Sequence, residues 1–208
     1  ERHLYRLPDS VALDEAALIE PAVVALVGAR AIDFSARPVV LVIGTGAIGL
    51  AAVALCTYYG ASKVLLSGRK PSKLAVGVAM GADAVVNASK EDVAAFVMDH
   101  TEGRGADAII ETSGNVSVLG GLPGLCAYQA LVALIGFYEK RLDDFDIDAF
   151  VARAISMKGI MGEWFLVPKL IDILASGKLS IKPAITHRCS FDEAIGAMKT
   201  ADERADTK

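Results

Sequence analysis

The sequence contains little of what membrane, secreted or disulfide-bonded proteins require. Among its 208 residues, no uninterrupted apolar run reaches the ~18 residues of a membrane-spanning helix, and the first residues contain no apolar segment typical of a secretory signal. The three cysteines, Cys56, Cys126 and Cys189, are odd in number and far apart, which excludes a disulfide framework and Cys-x-x-Cys zinc spacing. We therefore expect a reducing, cytoplasmic environment, buried apolar cysteines and no membrane partner.

Clusters of positive charge are also rare, and histidines number only three. The formal net charge is −4, and basic residues are scattered apart from a small cluster at 69–73, so we expect no nucleic-acid partner. The histidines, His3, His100 and His187, are too dispersed for a metal site or a catalytic triad. The residues present therefore predict no complete catalytic site.

What the sequence has in quantity is apolar residues, which make up 53% of the chain and suffice for a large buried core. Short apolar segments alternate with helical patterns. The predicted strands are 39–43, 63–67, 84–86, 106–110, 131–135 and 155–160. The helices predicted after the first strand are 47–59, 71–80, 90–100, 116–126, 146–153, 165–175 and 191–200. This alternation predicts an α/β protein with a doubly wound, parallel six-stranded sheet, the Rossmann fold.

The first predicted strand runs directly into a glycine-rich turn. Its residues are Gly44, Thr45, Gly46, Ala47, Ile48 and Gly49, and an alanine-rich helix follows. In this context Gly44 allows the tight turn, Gly46 lets the backbone approach a pyrophosphate, and Gly49 lets the helix pack close to the sheet. The helix start then faces the phosphates with free N–H groups. A dinucleotide site is favoured over the alternative, a glycine-rich turn without a ligand.

The end of the second strand bears on which dinucleotide binds. NAD enzymes place an acidic residue there to bind the ribose 2′-hydroxyl, but this sequence has Ser67, Gly68 and Arg69. Gly68 would make room for a 2′-phosphate, Ser67 and Arg69 would donate hydrogen bonds to it, and Lys70 or Lys73 would add charge. We therefore predict NADP as cofactor, with NAD as the alternative. A solvated basic turn is the interpretation without a ligand.

Composition also predicts how the chain is organised. Residues 1–38 form an N-terminal helical segment, with a short helical turn at 13–17 and a helix from Glu20 to Arg30 that has Pro21 at its first position. Residues 39–200 form the dinucleotide-binding Rossmann domain. Residues 201–208 form a polar tail with no apolar run, which we expect to fray.

Several motifs together resemble the medium-chain zinc-dependent alcohol dehydrogenases, in particular the sorbitol (polyol) and threonine dehydrogenase branch. The resemblance covers nearly the whole chain in order. It is carried by residues 18–21 (Leu-Ile-Glu-Pro), 40–50, 105–107, 111–115 (Glu-Thr-Ser-Gly-Asn), 134–138, 158–162, 185–188 and 191–194. It departs from the family at Arg37-Pro38, at Val27 and at Tyr128-Gln129-Ala130, which replaces a glycine-rich turn before the fifth strand.

The resemblance implies a zinc enzyme of which these residues form the cofactor-binding domain. In the family, an N-terminal GroES-like domain supplies the cysteine and histidine ligands of zinc, and it is missing from these 208 residues. Glu20 matches a glutamate that lies at the catalytic zinc in the polyol branch, although it is equally an ordinary acid at a helix start. One carboxylate cannot hold zinc, so we expect no zinc bound here.

The resemblance also assigns roles to two loops and one strand. Thr112 and Ser113 resemble the loop that passes the adenosine side of the cofactor. Gly136, Phe137 and Tyr138 resemble the loop whose backbone meets the nicotinamide carboxamide. The strand near Ser156 and Ile160 resembles the edge that pairs with its copy in family dimers, so we expect a homodimer.

Three functional hypotheses follow. The favoured one is the cofactor-binding part of a zinc-type dehydrogenase that transfers hydride between NADP(H) and a secondary alcohol, polyol or ketone. The second is a stand-alone NAD(P)-binding module without activity. A zinc-free reductase of the quinone-reductase kind is a third, which the Glu20-Pro21 motif disfavours.

Overall fold

The computed structural model describes residues 3–143 and 145–205, with 202–205 described by their backbone alone. Within these residues, six parallel strands form one central sheet. The strands are β1 (Val39–Ile43), β2 (Lys63–Gly68), β3 (Ala84–Asn87), β4 (Ala106–Glu111), β5 (Cys126–Leu134) and β6 (Ser156–Gly159). Their order across the sheet is β3-β2-β1-β4-β5-β6, so the order reverses at β1.

The helices are α1 (Leu13–Ala16), α2 (Ile19–Arg30), α3 (Ala47–Tyr59), α4 (Pro71–Ala79), α5 (Val93–His100), α6 (Val116–Leu119), α7 (Ile147–Ala152), α8 (Val167–Ala175) and α9 (Ala194–Ala205). Those that pack on the sheet cover both of its faces. Short 3-10 turns lie at Phe34–Ala36, Leu122–Gly124, Trp164–Leu166, Lys182–Ala184 and Phe191–Glu193. No helix of the described residues has the length and apolar character needed to cross a membrane.

Strand β1 is buried along its whole length because both faces of the sheet are covered. Successive side chains of a strand point to opposite faces, so Val40 and Val42 join the core that includes α2, α3 and α8. Leu41 and Ile43 join a second core on the other face, with side chains from α5 and α7. The unbroken apolar run before the glycines is therefore explained by burial on both sides.

The predicted fold class is confirmed, but one predicted helix is wrong. Helix α6 ends at Leu119, a 3-10 turn follows, and Cys126 begins β5 instead of ending a helix. The physical reason lies in residues 120–123, where two glycines and a proline interrupt the helical hydrogen bonds.

The segment 128–130 is also different from its prediction, because it lies inside β5 and not in a turn before it. Gln129 has a left-handed backbone, with φ of 63°. The register between β4 and β5 shifts between Ala106 and Ala108. The pairing of β5 with β4 is therefore irregular here, and the left-handed backbone at Gln129 explains why these residues resemble a turn.

Residues before β1 pack into the same core as the sheet. Helix α2 begins at Ile19, so Pro21 lies within its first turn and not at its first position. Buried Glu15 accepts hydrogen bonds from the Ser180 hydroxyl (2.7 Å) and the Ile181 N–H (2.8 Å), which ties α1 to the chain beyond α8. The boundary at residue 38 stays a prediction.

Cysteine burial follows expectation in part. Cys56 and Cys126 are buried, whereas Cys189 is exposed. Burial raises the pKa of the Cys56 thiol and raises the pKa of Cys126 to about 11, so both stay protonated at neutral pH.

The C-terminal segment and the acidic stretch 143–146 are described only in part. Helix α9 continues to Ala205, beyond its predicted end at 200, while residues 206–208 of the predicted tail lie outside the described residues. The acidic stretch 143–146 predicts a helix N-terminus. Asp146 caps α7 by accepting a hydrogen bond from the Ala149 N–H at 3.1 Å, and Asp144 lies outside the described residues.

Candidate functional site

The candidate site lies at the C-terminal edge of the sheet, where β1 separates β2 from β4. In open α/β sheets the strand order reverses at such a point, and the loops on either side diverge to leave a crevice. The loop after β1 is the glycine-rich turn, and the loop after β4 contains Thr112 and Ser113. The fold therefore brings the two predicted loops to one place.

Two of the three motif glycines are required by close contacts. Gly44 has φ of +111°, and a Cβ there would approach Thr112 Oγ1 to under 3.0 Å, closer than real Cβ atoms lie. A Cβ on Gly49 would come equally close to the carbonyl oxygen of Gly44. Helix α3 can therefore approach the end of β1 only with glycine at both positions.

Gly46 is different, because nothing in the protein requires a glycine there. Its φ is −76°, which any residue adopts, and no heavy atom lies within 4 Å of an added Cβ. Gly46 and Ala47 are exposed, and Ile48 is half-buried. The space in front of this backbone is open, so a ligand could occupy the volume that a side chain at position 46 would fill.

Gly46 is also the N-cap of α3, immediately before its first residue, Ala47. The first hydrogen bond within the helix runs from the Leu50 N–H to the Gly46 carbonyl at 2.9 Å. The N–H groups of the first turn have no acceptor inside the helix, and the first turn holds no acidic residue. A helix start of this kind attracts anions through its N–H groups and its dipole.

Thr112 holds the glycine-rich turn to the neighbouring loop. Its backbone N–H and its hydroxyl both donate to the Ile43 carbonyl, at 2.8 and 2.9 Å. The same hydroxyl oxygen lies beside Gly44 and Gly49. Thr112 therefore fixes the position of the β4 loop relative to the start of α3.

At the end of β2 the structure gives Gly68 a packing role. A Cβ on Gly68 would come within 3.0 Å of the Thr45 Cγ2 methyl, so the space beside Gly68 is already taken. Ser67 is buried, and its carbonyl accepts the Gly44 N–H at 2.9 Å. The argument for NADP therefore depends less on room at Gly68 than on the absent acid and the nearby cations.

Those cations surround the start of α4. Arg69 is exposed, Lys70 and Lys73 are half-buried, and the first turn of α4 contains no acidic residue. Cationic side chains at a helix start that also lacks acids create a positive potential. This part of the site can attract a phosphate.

The loops after β4 and β5 are joined by a buried carboxylate. Glu111 is the last residue of β4 and is fully buried. It accepts hydrogen bonds from the Ser113 N–H (2.7 Å), from the Ser113 hydroxyl and from the Tyr138 hydroxyl (2.5 Å). Burial and the adjacent Glu111 raise the pKa of Tyr138, so its hydroxyl stays protonated and able to donate.

The remaining residues of the β5 loop lie around this cluster. Gly136 packs against Gly114, because a Cβ at 136 would lie 2.5 Å from the Gly114 nitrogen. Phe137 is 76% exposed at the crevice end of β5, so it offers an apolar surface to a ligand.

Glu111 was not among the predicted site residues, although its motif carries part of the family resemblance. The available signal is a carboxylate at the end of the otherwise apolar run Ala108-Ile109-Ile110. A charged residue in a fully buried position needs partners, and here two hydroxyls and one N–H provide them.

Glu20 lies apart from these loops. It is exposed in the first turn of α2, on the wall of an open groove lined also by His3 and Trp164. No group of three or more His, Cys, Asp or Glu side chains among the described residues is arranged to hold a metal. The residues present therefore do not fit a catalytic zinc, which requires three or four ligands.

This chain belongs to the zinc-binding dehydrogenase family, whose model matches residues 47–176. The match begins at the first residue of α3 and ends just after α8, so it includes the β2, β4 and β5 loops.

Two relatives show the range of named activities. The chain is 33% identical over 201 residues to sorbitol dehydrogenase of Rattus norvegicus and covers 56% of that protein. It is 32% identical over 210 residues to L-threonine 3-dehydrogenase of Pyrococcus horikoshii and covers 58% of it. In both cases the match includes 95% of this chain. The chain thus spans little more than half the length of these curated relatives.

A solved structure supports the fold. A protein of Sinorhizobium meliloti 1021, solved with NADP bound, superposes with a TM-score of 0.85 at 26% identity. The match covers 92% of this chain and 57% of that one. The six-stranded parallel sheet is therefore the fold of known dehydrogenases.

Proposed function

We propose that this chain binds NADP(H) and is the cofactor-binding part of a zinc-type dehydrogenase that acts on a secondary alcohol, a polyol or the corresponding ketone. The observation that carries the proposal is the contrast among the motif glycines. Gly44 and Gly49 are required by the protein's own packing, whereas Gly46 faces open space at a helix start. A glycine without a structural reason points to a ligand that approaches the backbone.

The cofactor would lie across the crevice. The start of α3, with Gly46 and Ala47, would bind the pyrophosphate. The turn after β2 would hold the adenosine ribose, and the loops after β4 and β5 would meet the rest of the dinucleotide. The nicotinamide ring supplies the hydride acceptor or donor, while the chain binds and orients it.

NADP is favoured over NAD by charge. The position of the ribose-binding acid holds Gly68, and Arg69, Lys70 and Lys73 follow it. A 2′-phosphate gains from these cations, whereas a 2′-hydroxyl lacks the carboxylate that it would bind. The NADP bound to the Sinorhizobium meliloti protein is consistent with this assignment.

The substrate class comes from the relatives alone. Sorbitol and L-threonine, the substrates in their names, both carry a secondary alcohol. Since the described residues contain no metal cluster, this chain would supply the cofactor half of the reaction and not its zinc. Glu20 stays a proposed neighbour of the metal. The second candidate, an NAD(P)-binding module without activity, is favoured by the same absence.

We also propose a homodimer through β6. All four of its residues are exposed, it pairs with β5 on one side, and Met157 is 40% exposed. A strand edge without a partner is a site where strands pair between chains. Light scattering should therefore give about twice the chain mass of 21.8 kDa, and a Met157→Lys variant should shift it towards one chain. A wild-type mass of one chain would contradict this.

Gly46→Ala and Gly49→Ala form a matched pair that separates binding from folding. Gly46→Ala should lower the free energy of unfolding by less than about 1 kcal/mol, the cost of alanine at a helix N-cap, but weaken NADPH binding at least about tenfold, because its methyl otherwise enters only the ligand's space. Gly49→Ala should lower the free energy of unfolding by about 1–3 kcal/mol, because its methyl meets the Gly44 carbonyl. Urea denaturation and fluorescence titration measure the two effects. NADPH binding that Gly46→Ala leaves unchanged would refute the site.

Arg69→Gln tests the choice of cofactor. The wild-type chain should bind NADPH more tightly than NADH, and the variant should lose about tenfold in NADPH affinity while NADH changes less than about twofold, because a 2′-phosphate contact is lost. The control is Arg37→Gln, an exposed arginine before β1 at the opposite edge of the sheet. Equal affinities of the wild type for NADPH and NADH would contradict the NADP assignment. Equal losses of NADPH affinity in Arg69→Gln and Arg37→Gln would also contradict it.

Turnover separates the enzyme from the module. With added zinc, NADP+ and a secondary alcohol or polyol such as sorbitol, the purified 208-residue chain should produce no NADPH above the rate without protein, because its described residues hold no zinc cluster. Absorbance at the nicotinamide band follows the reaction. Zinc-dependent NADPH formation by this chain would overturn the assignment of the metal to another part of the protein.

A further inference from the structure

The carboxylate of Glu111 is unusual in its surroundings. It is fully buried at the end of β4, and no ion pair to it occurs among the residues that the structure describes. Its three donors are neutral: the Ser113 N–H, the Ser113 hydroxyl and the Tyr138 hydroxyl. A buried carboxylate without a cation costs stability unless hydrogen bonds satisfy it, so packing alone does not explain its presence.

The donors belong to two different loops. Ser113 follows β4 and lies next to Thr112, which contacts the glycine-rich turn. Tyr138 follows β5, four residues past its last strand residue, Leu134. One carboxylate oxygen accepts from each loop, since Ser113 bonds Oε1 and Tyr138 bonds Oε2. Glu111 therefore acts as a bridge between them.

The backbones of the two loops also interlock beside this carboxylate. A Cβ on Gly136 would lie 2.5 Å from the Gly114 nitrogen and 2.9 Å from Glu111 Oε2. Gly114 has φ of +62°, and a Cβ there would lie 2.7 Å from the Phe137 carbonyl oxygen. Loops this close can take up only a narrow set of relative positions, and the hydrogen bonds of Glu111 select one of them.

The place of this bridge in the crevice indicates its purpose. The ribose-binding turn lies after β2, and the pyrophosphate site lies after β1, so a dinucleotide that continues in the same direction passes over β4 and β5. The half of the cofactor that carries the nicotinamide would therefore meet the loop after β5, while the loop after β4, which the family resemblance assigns to the adenosine side, would lie between the two halves.

We infer that Glu111 is a positioning residue for the nicotinamide half of the cofactor. Its Oε1 is fixed by Ser113 of the β4 loop, and its Oε2 accepts from Tyr138, so it holds the loop 136–138 in the position that receives this half. The inference rests on the proposed dinucleotide function, and it adds a residue that touches neither cofactor nor substrate.

Tyr138→Phe is the direct test, because it removes one hydroxyl and keeps the ring. Two ligands are titrated by calorimetry: NADPH, and 2′-phospho-ADP-ribose, which lacks the nicotinamide. NADPH affinity should fall about tenfold, whereas affinity for 2′-phospho-ADP-ribose should change less than about twofold. The control is Tyr128→Phe, a 69% exposed tyrosine on β5, which should change neither.

Glu111→Gln provides a second variant. Its amide can still accept from Ser113 and donate to the Tyr138 oxygen, so we expect a fold retained by circular dichroism and a smaller loss of NADPH affinity. The double variant Glu111→Gln, Tyr138→Phe should lose less than the sum of the two single losses, because both act on one interaction.

The outcomes separate this inference from the function on which it rests. If the wild-type chain binds neither ligand, the dinucleotide function fails and the inference fails with it. If the wild type binds both, and Tyr138→Phe weakens both equally or neither, the role of Glu111 is purely structural and only this inference is overturned. Additive losses in the double variant would also contradict the bridge.

Discussion

The geometry of the crevice depends on how closely helix α3 approaches the end of strand β1. The Gly49 α-carbon lies against the Gly44 carbonyl, and Thr112 Oγ1 occupies the space beside both residues. Because no side chain separates them, the start of α3 opens directly into the space above β1 and β4. Thr112 in the β4 loop donates two hydrogen bonds to the Ile43 carbonyl, which fixes this loop relative to β1. Glu111 at the end of β4 accepts a hydrogen bond from Tyr138, which fixes the β5 loop relative to the β4 loop. One close packing contact and two partly buried polar links thus connect the three loops that line the proposed binding site.

Sequence patterns predicted the fold well at positions where a single structural requirement determines the residue type. The run Val39–Ile43 is apolar because both sheet faces are covered, and Gly44 and Gly49 mark a turn and a close contact. The prediction failed between β4 and β5, where a short helix, a 3-10 turn and the start of β5 replace the helix expected over 116–126, and where 128–130 lie in β5 and not in a turn. Gln129 has the left-handed backbone typical of a turn, so only the irregular pairing with β4 places it in a strand.

The candidate site was predicted less completely, because its contacts join residues that are far apart in sequence. The Thr45 methyl lies where a side chain at Gly68 would be, a contact that no local pattern indicates. Glu111 and Tyr138 are 27 residues apart in sequence, and their hydrogen bond cannot be inferred from spacing. Membership of the zinc-binding dehydrogenase family defines the kind of protein. The two relatives named above, a sorbitol and a threonine dehydrogenase, differ in substrate, so family membership does not define what this chain acts on.

The most direct test of the account is to observe where a dinucleotide contacts the chain. In a titration of the isotope-labelled protein with NADPH, followed by amide NMR shifts, the largest changes should fall on Gly46 to Gly49, on Ser67 to Arg69, and on the loops that contain Ser113 and Phe137. Shifts confined to the groove lined by His3 and Trp164, or no shifts at saturating NADPH, would contradict the assignment of the crevice as a cofactor site.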